Sequence, residues 1–202
     1  MPTLKTSYLM CEVFYFDFFF FLCYFENRFI SEDICMDELW DVYDENRNLT
    51  GDTVKRSSHP RNKDEYHLVV HIWIKNKSGE WLISKRAPNK FYPLLWECTG
   101  GSALAGESSL DAALREVKEE LGIDLPRGSG CLFKSFKRTV YQDFCDVYVF
   151  DYDCSIDDLT FQENETCDAM WASSEEIHRM IKTKEFIPLD NMQYVFDLIG
   201  NL

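Results

Sequence analysis

Glu116, Glu119 and Glu120 stand at i, i+3 and i+4 in the run Arg115-Glu116-Val117-Lys118-Glu119-Glu120-Leu121-Gly122-Ile123. On a helix this spacing gathers three carboxylates on one face. Like charges held so close repel, and a cation bound among them offsets that cost. Carboxylate oxygens are hard ligands, which points to Mg²⁺ or Mn²⁺ rather than zinc. One or two such ions along the face would neutralise a phosphorylated substrate and help to activate a water.

The residues around the glutamates must supply the helix. Leu110, Leu114, Val117 and Leu121 recur at helical spacing and predict a buried stripe on the opposite face. Ser108 or Ser109 can cap the start, and Gly122 sits where a left-handed residue usually ends a helix. A glycine-containing loop, Gly100 to Gly106, leads into it. Upstream, Leu39–Tyr43 suits a half-buried strand, 44–51 carries turn chemistry, and 53–65 reads as a polar loop or edge. His67–Ile74 and Trp81–Lys85 flank Asn76-Lys77-Ser78-Gly79 and predict a hairpin. Residues 88–95 read as a loop, and Trp96–Thr99 as one short strand. Downstream, 131–141 and 144–152 predict a second hairpin, and 166–172 a last strand. Ser173 or Ser174 caps a further helix, and Met192, Val195, Phe196 and Ile199 form a final amphipathic stretch. The pattern by itself supports a class of mixed sheet and helix.

The chain has 202 residues and a formal charge of −14, from 35 acidic and 21 basic residues. One domain with a sizeable core fits that length. The charge excludes a nucleic-acid polymer as the main partner, but a small phosphorylated substrate is compatible, because a bound divalent ion reverses the local sign. Eight cysteines form no C-x-x-C pair, so a zinc site is not expected. Without an export signal the cysteines read as reduced and the protein as cytoplasmic. Residues 1–35 are a Phe-rich extension, with Val13–Phe25 apolar apart from Asp17. That run is too short to span a membrane, and the favoured reading is a start-site artefact, with the domain at 36–202. No membrane partner is expected unless residues 1–35 belong to the native protein.

Residues 101–123 match the Nudix signature G-x5-E-x7-R-E-U-x-E-E-x-G-U, where U is aliphatic. Gly101, Glu107, Arg115, Glu116, Glu119, Glu120 and Gly122 fill the fixed positions, and Val117 and Ile123 the aliphatic ones. The chain thus resembles the Nudix hydrolases. The resemblance implies an α/β/α sandwich around a mixed β-sheet, and metal-dependent hydrolysis of a diphosphate bond in a nucleoside diphosphate linked to another moiety, or in a related organic diphosphate. It implies Glu119 and Glu120 as metal ligands, Glu116 as a further ligand or base, and a backbone carbonyl at Gly100 or Gly101 as another ligand. Glycine suits that position because backbone must approach the ion closely. Arg115 then orients a glutamate, against the alternative of a plain surface ion pair, and Glu107 fixes the loop-to-helix geometry. A general base is expected on the loop before the last strand, where Glu165 is preferred to Glu163. Lys85 and Arg86 are candidates for phosphate contact, and Phe91, Tyr92 and Trp96 for an aromatic wall. Relatives of this kind often form homodimers.

From Met36 to Ile123 the chain also looks like the isopentenyl-diphosphate isomerase-like branch. Those isomerases carry a cysteine and a histidine where this chain has Gly100 and Ser102, and Cys98 lies two residues early. Hydrolysis is therefore preferred to isomerisation. Prenyl diphosphates remain candidate substrates, and a non-catalytic binding protein is a further alternative. His59 and His67 are weaker metal candidates.

Overall fold

The computed structural model describes residues 38–58, 62–188 and 195. The Phe-rich extension, His59, and Met192, Phe196 and Ile199 of the final stretch lie outside the described residues. Strand β1 (Leu39–Tyr43) pairs antiparallel with β2 (Leu49–Lys55) in a two-stranded sheet. The larger sheet holds β3 (His67–Lys75), β4 (Trp81–Arg86), β5 (Trp96–Glu97), β6 (Thr99–Ser102), β7 (Gly130–Arg138), β8 (Asp143–Asp151) and β9 (Thr166–Ala172). Its main path runs β5-β4-β3-β8-β7, with β6 added to β3 and β9 to β4. β3 and β8 run parallel and the other pairs antiparallel, so the sheet is mixed.

The central strands are apolar on both faces because a helix covers each. Helix α1 (Ser109–Leu121) lays Ala112, Ala113, Val117 and Leu121 against Val70, Ile72, Leu82 and Phe150. Helix α2 (Ser174–Thr183) lays Ile177 and Met180 against Trp73, Trp81 and Ile83 on the other face. The result is three layers, α/β/α. Full burial of Val117 or Leu121 contributes about 1.5–3 kcal/mol. Among the described residues no helix is long and apolar enough to cross a membrane.

Three expectations change. Leu110 and Leu114 are only partly buried, and Ala112 and Ala113 occupy the centre of the contact; their small side chains suit a helix lying close to the sheet. The polar run 49–55 is a strand, not turn and loop. Its residues are exposed apart from a half-buried Val54, so no alternation marks it, and pairing with β1 supplies its ladder. Residues 96–102 form two strands with different neighbours, β5 on β4 and β6 on β3.

Candidate active site

β6 delivers the glycine loop to α1. Val70 and His71 of β3 pair with Gly101 and Gly100. The loop beyond is tied to β1, since Ala105 N–H donates to Leu39 O at 2.7 Å and Gly106 N–H to Asp41 Oδ2 at 2.8 Å. Ser108 caps α1, its Oγ accepting the Asp111 N–H at 3.2 Å, and Gly122 ends it with φ 74°. A Cβ built on Gly101 would stand 2.2 Å from Glu116 Cδ and Oε1. The Glu116 carboxylate therefore occupies the space that a side chain at 101 would fill.

Arg115 joins the loop to the helix face. Its Nε donates to Glu107 Oε1 at 2.8 Å, and Nη2 to Glu107 Oε2 and Ser102 O at 3.0 Å each. Its Nη1 donates to Glu116 Oε1 at 3.0 Å and Glu119 Oε2 at 2.9 Å. Glu107 in turn accepts the Leu104 N–H at 2.8 Å. Only a planar fork can reach so many acceptors at once.

These groups open on a cleft of about 570 Å³, part of it open to solvent. Five carboxylates and four cations line it. Glu38 pairs with Arg56 at 2.9 Å, Glu165 with Lys90, and Glu116 and Glu119 with Arg115. Glu120 is the exception: it makes no ion pair or side-chain hydrogen bond among the described residues. Burial pushes its carboxyl well above the usual range, and Glu97 and Glu116 nearby push it further. Burial also raises Glu116, against the pull of Arg115. Glu97, behind the cleft wall, is raised by burial while Arg86 opposes the shift.

Among the expected site residues, Gly101, Arg115, Glu116, Glu119, Glu120, Arg86 and Glu165 line this one cleft. The turn through Asn164 (φ 65°), closed by Glu165 N–H to Gln162 O at 3.2 Å, brings Glu165 and Gln162 to it, while Glu163 does not line it. Lys85 and Trp96 are not brought there. Alternation along β4 sends Lys85 to the face opposite Arg86, where its ammonium lies 5.3 Å from the Trp96 ring centroid and Trp96 packs on the α2-side core. Phe91 and Tyr92 pack with their rings tilted by 58°, centroids 4.4 Å apart, and neither lines the cleft. His67 is buried, stacked on Trp40 at 4.4 Å with its Nδ1 3.2 Å from Gln142 O, and does not line the cleft. Cys98 is a core residue whose thiol burial pushes well up.

Lys90, Gln162, Glu38 and Arg56 line the cleft without having been singled out from the sequence. Lys90 alone left a signal, as the one charge in the loop Pro88-Asn89-Lys90-Phe91-Tyr92-Pro93. Glu38 and Arg56 flank β1 and β2, and only the pairing of those strands brings them together.

The residues fit a hard divalent ion. The donors are carboxylates, one of them lacks a cationic partner, and the glycine cradle at 101 keeps backbone within reach. Among the described residues, however, no group of three His, Cys, Asp or Glu side chains is already gathered as a ligand set. Glu116 and Glu119 turn to Arg115 instead, so holding an ion requires those carboxylates to share or leave the guanidinium.

The family profile described as the NUDIX domain matches residues 65–190. The chain is 40% identical over 163 residues to a Nudix hydrolase of Listeria monocytogenes, covering 80% of this chain and 95% of that one. Its structure is similar to DR0079 from Deinococcus radiodurans, with TM-score 0.65 and 24% identity over 78% of this chain and 97% of that chain. It is also similar to a MutT protein from Methanosarcina mazei, with TM-score 0.51 and 27% identity, covering 67% of this chain and 94% of the other. The chain belongs to the Nudix hydrolase family. It is a pyrophosphohydrolase, and Gly101, Arg115, Glu116, Glu119 and Glu120 of the family signature line its cleft.

Proposed function

We propose that this cleft hydrolyses the diphosphate bond of a nucleoside diphosphate linked to another moiety, or of a related organic diphosphate, with a divalent cation on Glu116, Glu119, Glu120 and the Gly101 carbonyl. The observation that carries the reading is Glu120, a largely buried carboxylate flanked by Glu97 and Glu116 and paired with no cation. When bound, Mg²⁺ or Mn²⁺ supplies neutralisation of diphosphate charge and a more acidic water. The protein's own residues do the rest. Arg115 fixes Glu116 and Glu119 at the helix face. Arg86 and Lys90, which line the same cleft, take up phosphate oxygens. Glu165, 35% exposed and held by Lys90, accepts the proton of the attacking water. One water adds to phosphorus, the bridging P–O bond breaks, and two phosphate-ended products leave.

Isomerisation of a prenyl diphosphate is disfavoured by Gly100. A Cβ there would stand 2.6 Å from Val70 O, leaving no room for the cysteine that isomerase-like relatives carry. Prenyl diphosphates stay open as hydrolysis substrates.

The test is product analysis by mass spectrometry with Mg²⁺ on nucleoside triphosphates, ADP-ribose, dinucleoside polyphosphates and isopentenyl and dimethylallyl diphosphates. Selective cleavage of one class, lost by about 10²-fold or more in Glu119→Gln and Glu120→Gln, is expected. Wild-type rates in both variants would refute the assignment, and tight binding of one compound without turnover would favour a binding protein.

A further inference from the structure

We infer that Glu97 is a positioning residue for Arg86, and so sets how tightly the cleft grips a diphosphate. This rests on the reading above that the cleft takes one. Glu97 does not itself line the cleft; it stands behind Arg86, which does. Strand β5 is two residues long, and its register places Glu97 opposite Ser84 and Trp96 opposite Lys85. Opposed residues of an antiparallel pair share a face, so Ser84, Arg86 and Glu97 all lie on the α1 side of the sheet.

Arg86 is held at two of its three nitrogens. Its Nη1 donates to both Glu97 oxygens, at 2.9 and 2.6 Å, and Nε donates to Phe91 O at 2.7 Å. Nη2 makes no hydrogen bond among the described residues, which leaves its two N–H groups for a ligand. Arg86 is also the sole hydrogen-bond partner of the Glu97 carboxylate among those residues. Ser84, directly opposite, is buried with an unpaired hydroxyl, so the carboxylate is committed to the guanidinium. The two side chains are 17% and 14% exposed.

Such a pair adds little stability, because desolvation cancels much of its attraction. What it does provide is a fixed guanidinium. An arginine free to sample rotamers loses that freedom when it grips a phosphate, and one already locked does not. The loop that carries Lys90 is fixed by the same arginine, through Phe91 O. Through Arg86, Glu97 therefore acts on the diphosphate wall of the cleft; its charge also lies near Glu120, and the double variant separates the two routes.

The experiment compares wild type, Glu97→Gln, Glu97→Ala, Arg86→Ala and the double variant Arg86→Ala/Glu97→Ala. Calorimetry measures inorganic pyrophosphate binding in Mg²⁺, and steady-state kinetics use the substrate class found in the panel above. We expect Glu97→Ala and Arg86→Ala each to weaken pyrophosphate and raise KM by about tenfold or more, with kcat changed by less than about threefold. Glu97→Gln should show a smaller change in the same direction, since the amide oxygen still accepts a hydrogen bond. The double variant should match Arg86→Ala, because the two residues act as a unit. Thermal unfolding checks the fold, and if Glu97→Ala fails to fold, Glu97→Gln and the double variant decide. Wild-type pyrophosphate affinity in the Glu97 variants would overturn the inference, as would a full second loss when Glu97→Ala is added to Arg86→Ala. Wild type that neither binds pyrophosphate nor turns over any diphosphate would instead remove the reading of the cleft itself.

Discussion

A methyl group at residue 101 would overlap the Glu116 carboxylate, with 2.2 Å between Cβ and Cδ. Gly101→Ala must therefore displace either the loop or the glutamate. Misplacing a catalytic group by about 1 Å can cost about 10²-fold, so kcat/KM should fall by at least that much while the far-ultraviolet circular dichroism stays native. Arg115 makes a related argument about residue type. Its fork reaches Glu107, Glu116, Glu119 and Ser102 O together, and a lysine ammonium is a point charge that cannot. Arg115→Lys keeps the charge, so a loss of activity of about tenfold or more, read by steady-state kinetics, would separate orientation from simple charge balance. Unchanged kinetics would leave Arg115 as an ordinary ion pair.

At the scale of elements, the lip of the cleft depends on the β1–β2 pair, because Glu38 and Arg56 flank those strands. The turn between them is anchored by Arg47, whose Nη1 and Nη2 donate to Asp146 of β8 at 2.8 and 2.6 Å, while Ser135 of β7 donates to the same carboxylate at 2.6 Å. Burial pushes Asp146 up, but hydrogen bonds from Arg47, Ser135 and Ser109 outweigh it and hold its carboxyl below the usual aspartate range. A depressed carboxylate stabilises the fold above its unfolded pKa, and the contribution fades as pH falls through the folded value. Unfolding free energy should thus fall as pH drops below about 4, and Asp146→Asn should flatten that dependence. The substitution should cost about 2–3 kcal/mol at neutral pH, below the range for a fully buried pair because Arg47 is 34% exposed. Chemical denaturation across pH measures both effects. Much of this scale was legible from sequence: the α1 boundaries followed from Ser108 and Gly122, and the β3–β4 and β7–β8 hairpins from apolar runs broken by turn residues. β2 was not legible, because it buries almost nothing and carries no periodicity. Nor was the exclusion of Lys85 and Trp96 from the cleft, since which face of a strand looks at the site depends on where α1 packs.

For the whole molecule, a net charge of −14 and a cleft with five carboxylates oppose an anionic substrate unless a cation intervenes. The helix carboxylates were found by spacing alone, because i, i+3 and i+4 is a local property of one helix. Arg86, Lys90, Glu97 and Glu165 come from separate segments, and only the sheet topology assembles them. Mn²⁺ titration followed by electron paramagnetic resonance, on wild type and on Glu119→Gln/Glu120→Gln, addresses the central claim directly. Wild type should remove free Mn²⁺ from the signal and the double variant should lose most of that capacity while keeping its fold. Equal Mn²⁺ binding by the two proteins would contradict the assignment of the helix face as the metal site.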